Sequence, residues 1–78
     1  MKTEYIDREK HRYIFKILEN RVIIWCQYSF SIHDSNYEIY NEPIGNDGKI
    51  NWSTGSRPYV SIEARMFCDK LLKNIAFA

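Results

Sequence analysis

Residues 21–32 read RVIIWCQYSFSI. Val22, Ile24, Cys26, Tyr28, Phe30 and Ile32 recur at every second position. That is the spacing of one face of a β-strand, because successive side chains of a strand point to opposite sides. The alternate set, Arg21, Ile23, Trp25, Gln27, Ser29 and Ser31, is mixed and turns polar towards its end. The spacing predicts a long strand with one buried face and one mixed face, against which the rest of the chain can be paired.

Upstream, Tyr13 to Leu18 (YIFKIL) reads as a strand, and Glu19-Asn20 as a two-residue hairpin turn in which Asn20 can take positive φ. Pairing Leu18 with Arg21 sets Ile17 opposite Val22, Phe15 opposite Ile24 and Tyr13 opposite Cys26. Every member of that face is apolar, and a slip of one residue would destroy the match. Downstream, His33-Asp34-Ser35-Asn36 reads as a turn. Pairing Ile32 with Tyr37 then sets Ile39 opposite Phe30, in a third strand from Tyr37 to Ile44. Pro43 marks that strand as an edge, a bulge or a loss of pairing. Gly45-Asn46-Asp47-Gly48 is the strongest turn signal, and a fourth strand is expected from Lys49 to Ser53, with Ile50 and Trp52 on the apolar face.

Thr54 to Pro58 reads as a loop. Ser61 follows as a helix N-cap, with Glu63 in the first turn, where the helix dipole favours an anion. Ala64, Phe67, Cys68, Leu71, Leu72 and Ile75 then recur at spacings of three and four, one apolar stripe of a helix within 61–76. Glu63, Arg65, Asp69, Lys70 and Lys73 take the opposite side. The expected fold class is α+β: a four-stranded antiparallel meander over 13–53 with one C-terminal helix packed on one face. Met1 to Arg12 is polar and mixed in sign. It reads as an edge strand, a helical turn or a loose arm.

The chain has 78 residues, which makes a single domain, 1–78. A chain this short buries only about 60–65% of its unfolded surface, so the core is marginal. An apolar share of 45% and aromatics at 15% supply that core. A net charge of +1 offers no overall attraction for nucleic acid or an anionic bilayer. No apolar run approaches the about 18–20 residues that cross a membrane. The charged first twelve residues have no signal-peptide pattern, which points to a reducing cytoplasm and to Cys26 and Cys68 as buried free thiols.

The same registers place the other side of the sheet. Ile14, Leu18, Ile23, Trp25 and Ile44 gather at one end of it. Lys16, Gln27, Ser29, Ser31, Glu38, Tyr40, Glu42, Lys49, Asn51 and Ser53 occupy the other end. One helix cannot cover both faces. The apolar end needs a cover: residues 1–12 folding back through Tyr5 and Ile6, a second copy in a homodimer, or a foreign partner. Ile14, Ile23, Trp25, Ile44 and Tyr40 are the candidate partner-binding residues of this face. Trp25 is the expected anchor, because Trp and Tyr dominate binding hot spots. Arg57, beside Pro58 and Tyr59 in the loop before the helix, is a further candidate contact.

No motif carries catalytic or cofactor chemistry. His11, Cys26, His33 and Cys68 are of zinc-binding type but contain no close pair, so their spacing resembles no finger or ribbon. There is no GxSxG, HExxH or phosphate loop. Glu38 and Glu42 read as a solvated strand face rather than an acid–base pair, and His33-Asp34 as an ordinary turn. The chain is therefore expected to be no enzyme and to need no cofactor or metal.

Gly48 to Leu72, GKINWSTGSRPYVSIEARMFCDKLL, resembles the strand–loop–helix ending of small phage and prophage accessory proteins. These often close with an Asn-Trp-Ser strand, a short loop and a helix beginning Ser-x-Glu-Ala. The resemblance covers about a third of the chain and includes no functional residue. It implies a fold piece and a mobile-element origin. By class analogy it implies a protein that occupies a host protein or complex, as anti-CRISPR and other anti-defence inhibitors do. A three-stranded sheet followed by a helix also resembles integrase-arm and plant DNA-binding domains, which read the major groove with the sheet. Here the open face offers Lys16, Arg21 and Lys49 but also Glu38 and Glu42, which would repel phosphate. Nucleic acid is thus the less favoured partner.

Overall fold

Tyr13, Phe15 and Ile17 are buried opposite Cys26, Ile24 and Val22, the pairing that alternation alone demands. These residues belong to strands β2 (Arg12–Ile17) and β3 (Arg21–Gln27). The turn between them is Glu19-Asn20, closed by the Leu18 N–H donating to the Arg21 carbonyl at 2.8 Å. Asn20 does not use positive φ. Lys10, at φ 68°, is the non-glycine residue that does so among the described residues. The structure is a computed structural model and describes residues 1–29, 36–53 and 60–76.

Residues 1–12 are neither an arm nor a lid. Lys2–Ile6 forms β1, antiparallel to β2, with Thr3 opposite Phe15 and Tyr5 opposite Tyr13. The turn back to β2 is built on Asp7. Its Oδ1 accepts the N–H groups of Glu9 and His11 at 2.9 and 3.0 Å, and its carbonyl accepts the Lys10 N–H at 2.9 Å. An Asp at a turn start does this because its short side chain reaches its own backbone. The four-stranded antiparallel sheet therefore has the order β1-β2-β3-β4, with β4 at Tyr37–Pro43.

The expected fourth strand at Lys49 to Ser53 is not one. Ile50 is buried and Trp52 half-buried while Lys49, Asn51 and Ser53 are exposed, so the alternation survives without the ladder. Asn51 Oδ1 accepts the Ser53 N–H at 3.1 Å, a local side-chain bond of the kind that competes with sheet pairing. The preceding turn matches its composition. Gly48 has φ +77°, and the Gly45 N–H donates to the Lys49 carbonyl at 2.8 Å.

β4 departs from the expected register. Tyr37 pairs with Cys26 and Glu38 with Trp25, then a bulge intervenes, and Tyr40 pairs with Ile24. The expected partners, Ile32 for Tyr37 and Phe30 for Ile39, lie six residues further on for Tyr37 (32 − 26) and outside the described residues. So does the turn at 33–35. The extra residue is Ile39. Beyond it the alternation flips, because one inserted residue exchanges the two faces. Ile39 and Tyr40 are consecutive and both buried, at 4% and 5% exposure.

Helix α1 (Ile62–Ala76) follows. Ser61 caps it, its Oγ accepting the Ala64 N–H at 3.3 Å. Ala64, Cys68 and Leu72, four residues apart, are buried, and Phe67 and Leu71 pack beside them. Phe67 lies against Tyr5 at 4.7 Å and Phe15 at 5.7 Å between ring centroids, so the helix covers β1 and β2. Trp52, 5.3 Å from the Tyr40 ring, covers β4. Ile75 belongs to the expected stripe but is 41% exposed. Glu63 and Arg65, expected on the outer side, instead flank the interface. Glu63 accepts from Tyr5 Oη at 3.0 Å and pairs with Arg8 at 3.0 Å. Arg65 Nε donates to the Val60 carbonyl at 2.8 Å, and its guanidinium lies 6.0 Å from the Trp52 ring. One face of the sheet is thus covered, and among the described residues the other carries no helix.

Candidate functional site

The open face can be read as rows across the strands. One row is Glu4, Ile14, Trp25, Glu38. Beside it run Lys2, Lys16, Ile23, Asn41 on one side, and Ile6, Arg12, Gln27 on the other. Ile14, Ile23 and Trp25 are half-buried at the centre. Charged and amide side chains ring them, the arrangement of an apolar anchor with a polar rim.

The rim is held in place by its own bonds. Arg12 grips Glu4 with two guanidinium nitrogens, Nε to Oε1 at 2.7 Å and Nη2 to Oε2 at 2.9 Å. That fork, by hydrogen bonding first and charge second, holds the Glu4 carboxyl below the usual carboxylate range and raises the Arg12 guanidinium. Arg21 Nη1 donates to Asn41 Oδ1 at 2.7 Å and to its carbonyl at 3.2 Å. Asn41 Nδ2 in turn faces Glu38 Oε1 at 3.5 Å. Both rim clusters cross a strand boundary, so the sheet itself orients them.

Of the residues expected at this face, Ile14 and Trp25 are direct cross-strand partners and Ile23 lies in the next row. Tyr40 and Ile44 are corrections. The bulge at Ile39 turns Tyr40 inward, where its Oη donates to the Asn51 carbonyl at 3.5 Å. Ile44 packs on the core and lines a groove of about 490 Å³ with Met1, Leu18, Leu72 and Ile75. Arg57 lies outside the described residues. Lys2, Glu4 and Ile6 join the face because β1 is a strand, and the alternation of KTEYI, only five residues long, was the available signal. Tyr5 goes to the helix side, and Ile6 stays on the open face 54% exposed, so neither covers the centre.

Among the described residues, Cys26, Cys68 and His11 are held within the fold. Burial pushes the Cys26 and Cys68 thiols up to about 12, which removes the thiolate a nucleophile needs. His11 is buried, with Nδ1 accepting the Ser29 N–H at 3.0 Å and Nε2 3.2 Å from Glu9. It joins the end of β3 to the β1–β2 turn. Glu38 and Glu42 are on opposite sides of the sheet, Glu38 beside Trp25 and Glu42 opposite Val22. Among the described residues no three metal-type side chains cluster, and no helix is long and apolar enough to cross a membrane. His33 lies outside the described residues. No family model, curated protein or solved structure matches the chain.

Proposed function

We propose that this chain is a non-enzymatic binding protein that occupies a surface of another macromolecule through the open face of its sheet. The observation that carries the reading is the half-buried trio Ile14, Ile23 and Trp25, framed by oriented charges, on the side opposite the helix. Two residue-level facts support it. The cysteines are held as inert thiols, and Glu38 and Glu42, two carboxylates four apart on one strand, are split between two faces. The resemblance of Gly48 to Leu72 to phage accessory proteins favours a host protein complex in the cytoplasm as the partner, in the manner of an anti-defence inhibitor.

The test is affinity capture from nuclease-treated bacterial lysate with three chains: wild type, Trp25→Asp, and Met66→Asp on the exposed outer side of the helix. A stoichiometric protein lost with Trp25→Asp but kept with Met66→Asp is the expected result, with circular dichroism showing all three chains folded. Retention by the folded Trp25→Asp chain would remove the face from consideration.

A further inference from the structure

The open face contains one unrelieved conflict. Lys2 and Lys16 are direct cross-strand partners on the same side of the sheet, and both are exposed. Like charges held opposite each other are destabilising. Among the described residues neither ammonium has an ion-pair partner. The row continues through Ile23 and Asn41, which offer no carboxylate. The two described carboxylates of this face are engaged elsewhere, Glu4 by Arg12 and Glu38 towards Asn41.

From this we infer that the open face takes an acidic protein segment. One aspartate or glutamate carboxylate bridges Lys2 and Lys16, while a neighbouring apolar side chain packs on Ile14, Ile23 and Trp25. The inference rests on the binding reading above and names the chemistry of the partner. Directly paired residues have Cβ atoms about 5 Å apart, so two flexible lysine stems can converge on one carboxylate. The charge of the face agrees. Among the described residues it holds four cations (Lys2, Arg12, Lys16, Arg21) and two anions (Glu4, Glu38), a net +2. The whole chain is +1, so the rest of the molecule sums to −1 (1 − 2). Such asymmetry steers and orients an acidic partner.

A nucleic acid would meet this face less well. Single strands are held by successive stacking rings, and the centre presents one indole between two isoleucines. Glu4 and Glu38 stand at the two ends of the Trp25 row, where a continuous phosphate backbone would pass. A protein segment needs only one anion, at one point.

The inference is tested with a displayed library of random twelve-residue peptides, selected on the full chain and counter-selected on Trp25→Asp. The expected peptides carry Asp or Glu within a few positions of an aromatic or branched apolar residue. As a synthetic probe, such a peptide should bind about tenfold or more weakly to Lys2→Glu, and its binding should weaken with salt. The same substitution replaces the lysine clash with an ion pair, so the melting temperature should rise while binding falls. A merely structural role for Lys2 would move both together. Recovery of the lost binding by a Glu→Lys version of the peptide would confirm the contact. Peptides that need Trp25 but ignore Lys2→Glu would overturn the acidic inference and leave the binding reading standing. A library yielding nothing that depends on Trp25 would overturn both. Binding of a twenty-nucleotide oligothymidine that Lys2→Glu abolishes would also overturn it, and assign the face to nucleic acid.

Discussion

Lys10 holds a backbone conformation, φ 68°, that an L side chain adopts at a cost of about 1–2 kcal/mol. The turn tolerates it because Asp7 fastens both ends, accepting from Glu9, Lys10 and His11. Glycine would remove the clash at an entropic cost of about 0.5–1 kcal/mol. Lys10→Gly is therefore expected to stabilise the protein by about 0.5–1 kcal/mol, read as a higher urea midpoint at unchanged slope. The two thiols give a prediction in pH. Burial pushes both up to about 12, whereas an unfolded thiol ionises near about 8.5. Above that value the unfolded chain releases protons that the folded chain retains. The stability from burying neutral thiols is thus full below about 8.5 and is lost as pH rises towards about 12. Urea titrations at pH 7 to 10.5 should show stability falling on the alkaline side, less steeply in a Cys26→Ala, Cys68→Ala chain. Ellman's reagent at pH 8 should react with the native protein only as fast as it opens.

At the scale of elements, the β2–β3 hairpin was legible because the helix-side pairs Tyr13–Cys26, Phe15–Ile24 and Ile17–Val22 join only apolar residues, leaving one register. The helix was legible from its cap and its four-residue spacing. β1 was ambiguous because Thr3 and Tyr5 are only half-buried and charge interrupts the pattern. Five residues cannot outvote that. β4 was six residues out because β3 ends at Gln27 and not at Ile32, and it took the wrong faces beyond Glu38 because a bulge leaves no mark in composition: Ile39 is one apolar residue among others until its neighbour proves to be buried too. The error propagated to the site, sending Tyr40 and Ile44 to the wrong side and keeping Glu42 beside Glu38. Tyr40 now separates the two registers by experiment. On an open face Tyr40→Ala would cost within about 0.5 kcal/mol. Packed on Trp52 at 5% exposure it should cost about 3 kcal/mol, measured by chemical denaturation.

Across the whole molecule, the sheet divides two duties. One face is closed by α1 and by Ile50 and Trp52, and the other is left with Trp25 among its charges. That division was visible in the alternation of residues 21–27. The partner was not, because a sheet face records the chemistry it offers and never the molecule that accepts it. The strand order β1-β2-β3-β4 also sets a sequence in time. Each strand pairs with the one made just before it, so the sheet can zip while the chain is being synthesised, with short loops to close at each step. Its cover comes last. Until residues 60–76 leave the ribosome, Tyr13, Phe15, Val22 and Ile24 face water on a finished sheet. A chain ended at Ser53 should accordingly bind a hydrophobic dye and self-associate, and adding a peptide of residues 60–76 should reverse both. The chain therefore passes through a sticky interval between the pairing of its last strand and the docking of α1, and anything that delays the helix lengthens it.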